Sequence, residues 1–181
     1  MKKRIFAVLL VVLSLMLTAC GQKEYGSFGQ KADQVVTRLK TSLGEAGYTD
    51  MFTEEPEEEN MPGDGDTPDS IRRTYLAPGM VLETYSLQSD NQLYQMVLMV
   101  EKSALDTPQR EQSLEYTLDW LVDTFEHDDP DTVRQALGLP DTAEGIDAQT
   151  EGTHANWTYF SEDGFLFLSA TATEYVASLD A

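Results

Sequence analysis

The chain has one cysteine, Cys20, and two histidines, His127 and His154, in 181 residues. A single thiol cannot close an intrachain disulfide, so the fold must be held by packing. Two histidines far apart in sequence, with no second thiol, supply no zinc-ligand set of familiar spacing. Basic side chains are scarce as well: 12 stand against 32 acidic ones, for a formal net charge of −20. A surface of that sign repels phosphate backbones and anionic headgroups, which excludes nucleic acid as a partner. No Gly-x-Ser-x-Gly, Ser-x-x-Lys or His-Glu-x-x-His run occurs, so the common signatures of nucleophilic and metallohydrolase catalysis are missing. The glycines at 63 and 65 sit among acids that would repel a phosphate. Paired carboxylates are uninformative, because so many acids place two at any chosen separation by chance.

What is present begins at the amino terminus. Lys2, Lys3 and Arg4 precede an apolar run from Ile5 to Leu17, interrupted only by Ser14. That run is too short for a permanent bilayer span and suits the core of a secretory signal. It ends on Leu17, Thr18, Ala19 and Cys20, which resembles the lipobox of bacterial lipoproteins. The resemblance implies a signal peptide over 1–19, diacylglyceryl transfer to the Cys20 thiol, and a mature chain starting at that cysteine. Two or three acyl chains hold a protein to a membrane essentially for good, whereas one holds it reversibly. The partner so implied is a membrane, reached through the lipid on Cys20 at its extracytoplasmic face. All 32 acids but only nine of the 12 basic residues follow Cys20, so the mature charge is −23. Such a charge favours cationic partners, divalent ions or simple solubility, the last being the commonest reason for it.

Residues 20–29 read as the lipidated cysteine and a flexible, glycine-bearing tether, and 30–181 as one domain. Ala32, Val35, Val36, Leu39, Leu43 and Ala46 recur at helical spacing, which predicts a helix over about 30–46 with Gly47 ending it. From Thr53 to Ser70 there are eight acids, three prolines and two glycines, the composition of a mobile acidic loop. Within it Asp64, Asp66 and Asp69 resemble a calcium loop only faintly, because Pro68 and Tyr75 hold positions that an EF-hand gives to oxygen ligands. No metal and no cofactor are expected. Two strands flank Pro78-Gly79, a type II turn pair. Ser89 to Asn91 make a second turn, and 92–102 supplies a central strand whose apolar run from Met96 to Val100 suggests burial on both faces.

Asp106, Thr107 and Pro108 open a helix to about Glu126, and Asp129 and Pro130 open a second that Gly138 and Pro140 close. Residues 141–152 read as an acidic connection, 154–161 and 165–173 as a hairpin about Asp163-Gly164, and 174–181 as a last helical turn or a frayed end. The order helix, strands, helices, strands predicts an α+β fold of two layers, a mostly antiparallel sheet packed by two or three helices.

The run from Asp131 to Asp141, with Leu137, Gly138 and Pro140, then Trp157 and Tyr159 on a strand, resembles small envelope modules of the outer-membrane-assembly-lipoprotein and β-lactamase-inhibitor-protein type. It covers 130–172 and implies protein binding rather than catalysis. From the residues themselves, His127 reads as a helix-end residue and His154 as a strand edge. Phe125, Phe165 and Phe167 read as core. Tyr75, Tyr85, Tyr94, Trp157 and Tyr159, with Phe160 beside them, are the candidates for a binding surface. The expected function is therefore a non-enzymatic, membrane-anchored extracytoplasmic lipoprotein that binds an envelope protein, peptide or small ligand on an open sheet face. The alternative is a cell-wall or surface hydrolase whose carboxylates the sequence does not single out. If the lipobox operates, Cys20→Ala releases the protein or leaves it unprocessed; fractionation that finds normal-sized protein still in the membrane refutes the assignment.

Overall fold

The computed structural model describes residues 25–52, 54–61, 69–87 and 89–179. Among these the chain forms helix α1 (Ala32–Glu45), strands β1 (Glu57–Met61), β2 (Asp69–Ala77), β3 (Met80–Leu87) and β4 (Leu93–Glu101), a 3-10 turn at Lys102–Ala104, helices α2 (Pro108–Phe125) and α3 (Pro130–Leu137), strands β5 (Asp147–Glu151), β6 (Ala155–Glu162) and β7 (Phe165–Ala172), and helix α4 (Thr173–Leu179). The seven strands make one antiparallel sheet in the order β1-β2-β3-β4-β7-β6-β5. The architecture is α+β, as the element order predicted.

Local chemistry sets most of the boundaries. Thr107 Oγ1 accepts the Arg110 N–H at 3.3 Å, and Asp129 Oδ1 accepts that of Thr132 at 3.4 Å, so both capped starts hold. Gly138 ends α3 with φ at 70°, a left-handed conformation that glycine adopts without steric cost. The β6–β7 turn has Asp163 and Gly164 both at positive φ, 52° and 82°, the twist that suits a two-residue hairpin.

Strand alternation divides the sheet into two unlike faces. Leu82, Met96, Leu98, Leu166, Leu168, Trp157 and Tyr159 point to one side, each no more than 2% exposed. There they meet Val35, Leu39 and Leu43 of α1, Leu114, Leu118, Leu121 and Phe125 of α2, and Val133 and Leu137 of α3. Burying a side chain of this size contributes roughly 1.5–3 kcal/mol, and this face is the core. On the other side lie Val81, Glu83, Tyr85, Val97, Met99, Phe160 and Phe167, all partly exposed. The layers are therefore helices and sheet, with the second sheet face left open.

Four expectations need correction. β4 is central, but its apolar run is not buried on both faces, because Val97 and Met99 alternate onto the open side. Part of the 53–70 stretch is ordered: Glu57–Met61 pair with Asp69–Arg73 as an edge strand whose acids face solvent or the arginines of β2. Residues 147–151, read as connection, form β5 on β6. The supposed tether docks from Tyr25 onward: the Phe28 N–H donates to the Leu93 carbonyl at 2.8 Å, and its ring lies 4.6 Å from Phe125. Cys20, Asp64 and Asp66 lie outside the described residues, and Asp69 is described only as the first residue of β2. Among the described residues no helix is long and apolar enough to cross a membrane.

Trp157 tests the two-face assignment. It is 1% exposed, stands opposite Ala170 on β7, and fills the space that this small residue leaves. Trp157→Ala should cost about 3–5 kcal/mol, read as a lower urea midpoint at unchanged slope, while Val97→Ala on the open face should cost a small fraction of that. Equal losses at the two positions would contradict the division of the sheet.

Candidate functional site

The open face is built by register. Opposite one another across five strands stand Tyr75, Val81, Met99, Phe167 and Phe160, and the next partner on β5 is Asp147. Phe160 and Phe167 stack at 4.6 Å with an interplanar angle of 11°, and Phe165 lies 6.1 Å from Phe167 with 41% of its surface exposed. The result is an apolar row that thickens into a phenylalanine cluster at the β6–β7 end. Aromatic pairs of this geometry gain on the order of 0.5–1.5 kcal/mol beyond area burial, so the cluster is a fixed feature of the face.

Carboxylates fence the row. Glu101 and Glu162 stand across from Phe165 on the neighbouring strands, Asp147 closes the Phe160 end, and Glu57 hydrogen-bonds Tyr75 at the other. That bond is the main reason the Tyr75 phenol lies above its ordinary value. Beneath the row, Arg73 Nε donates to Glu83 Oε1 at 2.6 Å and its Nη1 pairs with Glu59 at 3.1 Å. Tyr85 Oη donates to the other Glu83 oxygen at 2.8 Å. Burial, and then this bond to Glu83, push the Tyr85 phenol up to about 12. Arg73 is the one basic residue that the described strands bring to this face, and two acids already engage it.

Of the five aromatic candidates, Tyr75 and Tyr85 are partly exposed on the open face, and the Tyr94 ring lies beside that of Tyr85, with centroids 6.4 Å apart. Trp157 and Tyr159 face the helices, each 1% exposed, and Tyr159 Oη donates to the Asp141 carbonyl at 2.6 Å. Burial, then the Asp141 charge, push that phenol up to about 12. Tyr94 is 4% exposed at the irregular start of β4, covered by Tyr175 of α4, which stacks on it at 4.1 Å. The reading of Phe165 and Phe167 as core is overturned, since both lie on the open side, whereas Phe125 is core. The physical reason is parity. β6 carries aromatic rings on both faces at 157, 159 and 160, and which set meets the helices is decided by pairing with β7 rather than by composition.

The two histidines also depart from expectation. Read as unrelated, they stack on one another at 4.1 Å beside Asp128. Neither helix periodicity nor strand alternation signals this, because the contact depends on the loop before β6 folding back on the end of α2. Comparison with protein families, with curated proteins and with solved structures gives no match.

The two raised tyrosines fix a sign at alkaline pH. A phenol that holds its proton more tightly when folded stabilises the fold fully below pH 10, its ordinary value, and loses that contribution as pH rises through about 12. Urea unfolding should therefore show stability falling from pH 10 to pH 12, with Tyr85→Phe and Tyr159→Phe each flattening the fall. Slopes identical to wild type in both variants would contradict the assigned environments.

Proposed function

We propose that this chain is a membrane-tethered, extracytoplasmic binding module whose open sheet face takes up an apolar, positively charged segment of another envelope protein. The observation that carries the reading is the apolar row from Tyr75 to Phe160, open on one side and fenced by Glu57, Glu101, Asp147 and Glu162. Monomeric proteins seldom leave such a contiguous row uncovered without a partner for it. Charge decides the kind of partner: apolar side chains would seat on the phenylalanines while lysines or arginines meet the rim. The mature charge of −23 speeds the encounter with such a partner and repels anionic ones.

The tether supports a partner close to the membrane. With residues docked from Tyr25 onward, four residues separate Cys20 from the domain, and the five residue steps from Cys20 to Tyr25 reach at most about 17 Å. A lipid on Cys20 would thus hold the open face within reach of membrane-proximal segments. The reading is non-enzymatic because the face offers aromatic and aliphatic contact and a flat surface, which suits an extended protein segment better than a substrate to be enclosed.

Photo-crosslinking in the intact envelope tests it. A benzophenone amino acid at Met99 should give one adduct of defined mass, whose crosslinked peptide carries lysine or arginine flanking apolar residues. The same probe at exposed Glu115 of α2 should not give that adduct, and Phe160→Asp with Phe167→Asp should abolish it while circular dichroism stays native. The same products at both positions, or an adduct indifferent to the added charges, would overturn the proposal.

A further inference from the structure

The two histidines of the chain come from different segments and end in one place. His127 follows the last residues of α2, and His154 immediately precedes β6. His154 Nε2 lies 2.9 Å from Asp128 Oδ2, and His127 Nε2 lies 3.7 Å from Oδ1 of the same carboxylate. One potential ligand atom from each of the three residues falls within a set no more than 4.8 Å across. We propose that His127, Asp128 and His154 form a binding site for a late first-row divalent metal ion of the Zn²⁺ or Cu²⁺ class. This goes beyond the binding-face reading and does not depend on it.

The donor set selects the metal. Two neutral imidazoles and one carboxylate suit zinc, copper and nickel, whereas calcium and magnesium demand oxygen ligands throughout. Three protein ligands leave at least one coordination position open. The histidines line a cavity of about 280 Å³ shared with Phe28, Phe125, Thr173 and Glu174, so the open position has room for water or a small ligand. The Thr173 hydroxyl is buried there without a partner among the described residues. The site also lies just beyond the carboxyl end of α2, where the helix dipole favours a cation.

What holds the arrangement is Glu126, 1% exposed and without a cationic partner among the described residues. Its carboxylate accepts the N–H groups of Thr153 at 2.9 Å, His154 at 3.1 Å and Ala155 at 3.3 Å. The residue next to His127 is thereby bonded to the backbone of His154 itself. A Cβ on Gly152 would lie 2.0 Å from the same carboxylate, so glycine is what lets the loop approach. From the other side the Thr173 N–H donates to the His154 carbonyl at 3.0 Å. The His154 backbone is thus fixed before any ion arrives, and Glu126 ties it to the chain next to His127, while the rings stay accessible, His127 with 63% and His154 with 36% of the side chain exposed. Glu126 is a positioning residue here and not a ligand.

An acidic chain attracts cations everywhere, so the test must separate this site from diffuse charge. Full-length protein in detergent, carrying no polyhistidine tag, is titrated with Zn²⁺ by calorimetry in the presence of excess Mg²⁺ to occupy carboxylate-only sites. The expected result is one Zn²⁺ per chain, weakened at least about tenfold by either His127→Ala or His154→Ala; both side chains are exposed enough for replacement to leave the fold intact. With Cu²⁺, electron paramagnetic resonance should show nitrogen hyperfine structure that the double variant lacks. Zn²⁺ affinity unchanged in the double variant, or a copper spectrum with oxygen ligands alone, would overturn the proposal.

Discussion

The pairing of β4 with β7 is the constraint on which the rest of the structure depends. It joins a four-strand meander, β1 to β4, to a three-strand one, β5 to β7, and among the described residues no other strand pairing links the two. Its register sets Met96 against Ala170, Leu98 against Leu168 and Val100 against Leu166 on the helix side, and Val97 against Ser169 and Met99 against Phe167 on the other. Because side chains alternate, a slip of one residue would turn Leu166 and Leu168 away from the helices and bring Phe165 and Phe167 under them. The small residues of β7 resist that. Ala170 and Ala172 lie opposite Trp157 and Ala155 on β6, and only this parity gives the indole room beneath the helices. Core packing and the uncovered apolar row thus follow from one register.

Much of this was legible because it is governed by short-range chemistry. Thr107-Pro108, Asp129-Pro130, Gly138 and Asp163-Gly164 act through their own backbones and side chains, and each lies where its local rule puts it. The edge strands were not legible. β1 reads EEENM and β5 reads DAQTE, compositions with a single apolar residue each and little to bury. An edge strand needs only its backbone satisfied on one side, and carboxylates on it discourage pairing with another chain. The acidity that makes these segments look like loops is what allows them to be edges. The binding face was legible as an idea but not in its members, since parity belongs to the pairing and not to the strand alone.

The helix ending at Leu137, on which the resemblance to envelope modules partly rests, packs against β5 and β6. Yet the residues that carried the resemblance have sufficient local reasons. Leu137 is a core contact, Gly138 supplies the left-handed end of α3, and Trp157 and Tyr159 are the helix-facing members of β6. Packing and capping therefore generate the pattern without kinship. Arg134 adds a reason specific to this chain, bonding Asp119 and Asp131 at 2.9 Å and Asp123 at 2.5 Å, and so tying α3 to α2. Its side chain is 21% exposed, so these bonds are screened less than fully solvated ones, and they fix how α3 lies on the sheet.

The placement of charge closes the physical account. Nearly every described carboxylate sits at the surface, where water carries the cost of so acidic a chain, and Glu126 is the exception among the buried residues. A carboxylate removed from water is expensive unless hydrogen bonds replace its hydration, and three backbone amides do so here. The same bonds satisfy N–H groups at the start of β6 that no strand partner reaches. Removing the carboxylate would leave those donors unpaired, and neutralising it would weaken three charge-assisted bonds together. The fold therefore concentrates its costliest polar interaction in the loop that brings His127 and His154 together. Glu126 thereby ties the turn between α2 and α3 to the turn between β5 and β6, two segments far apart in the chain.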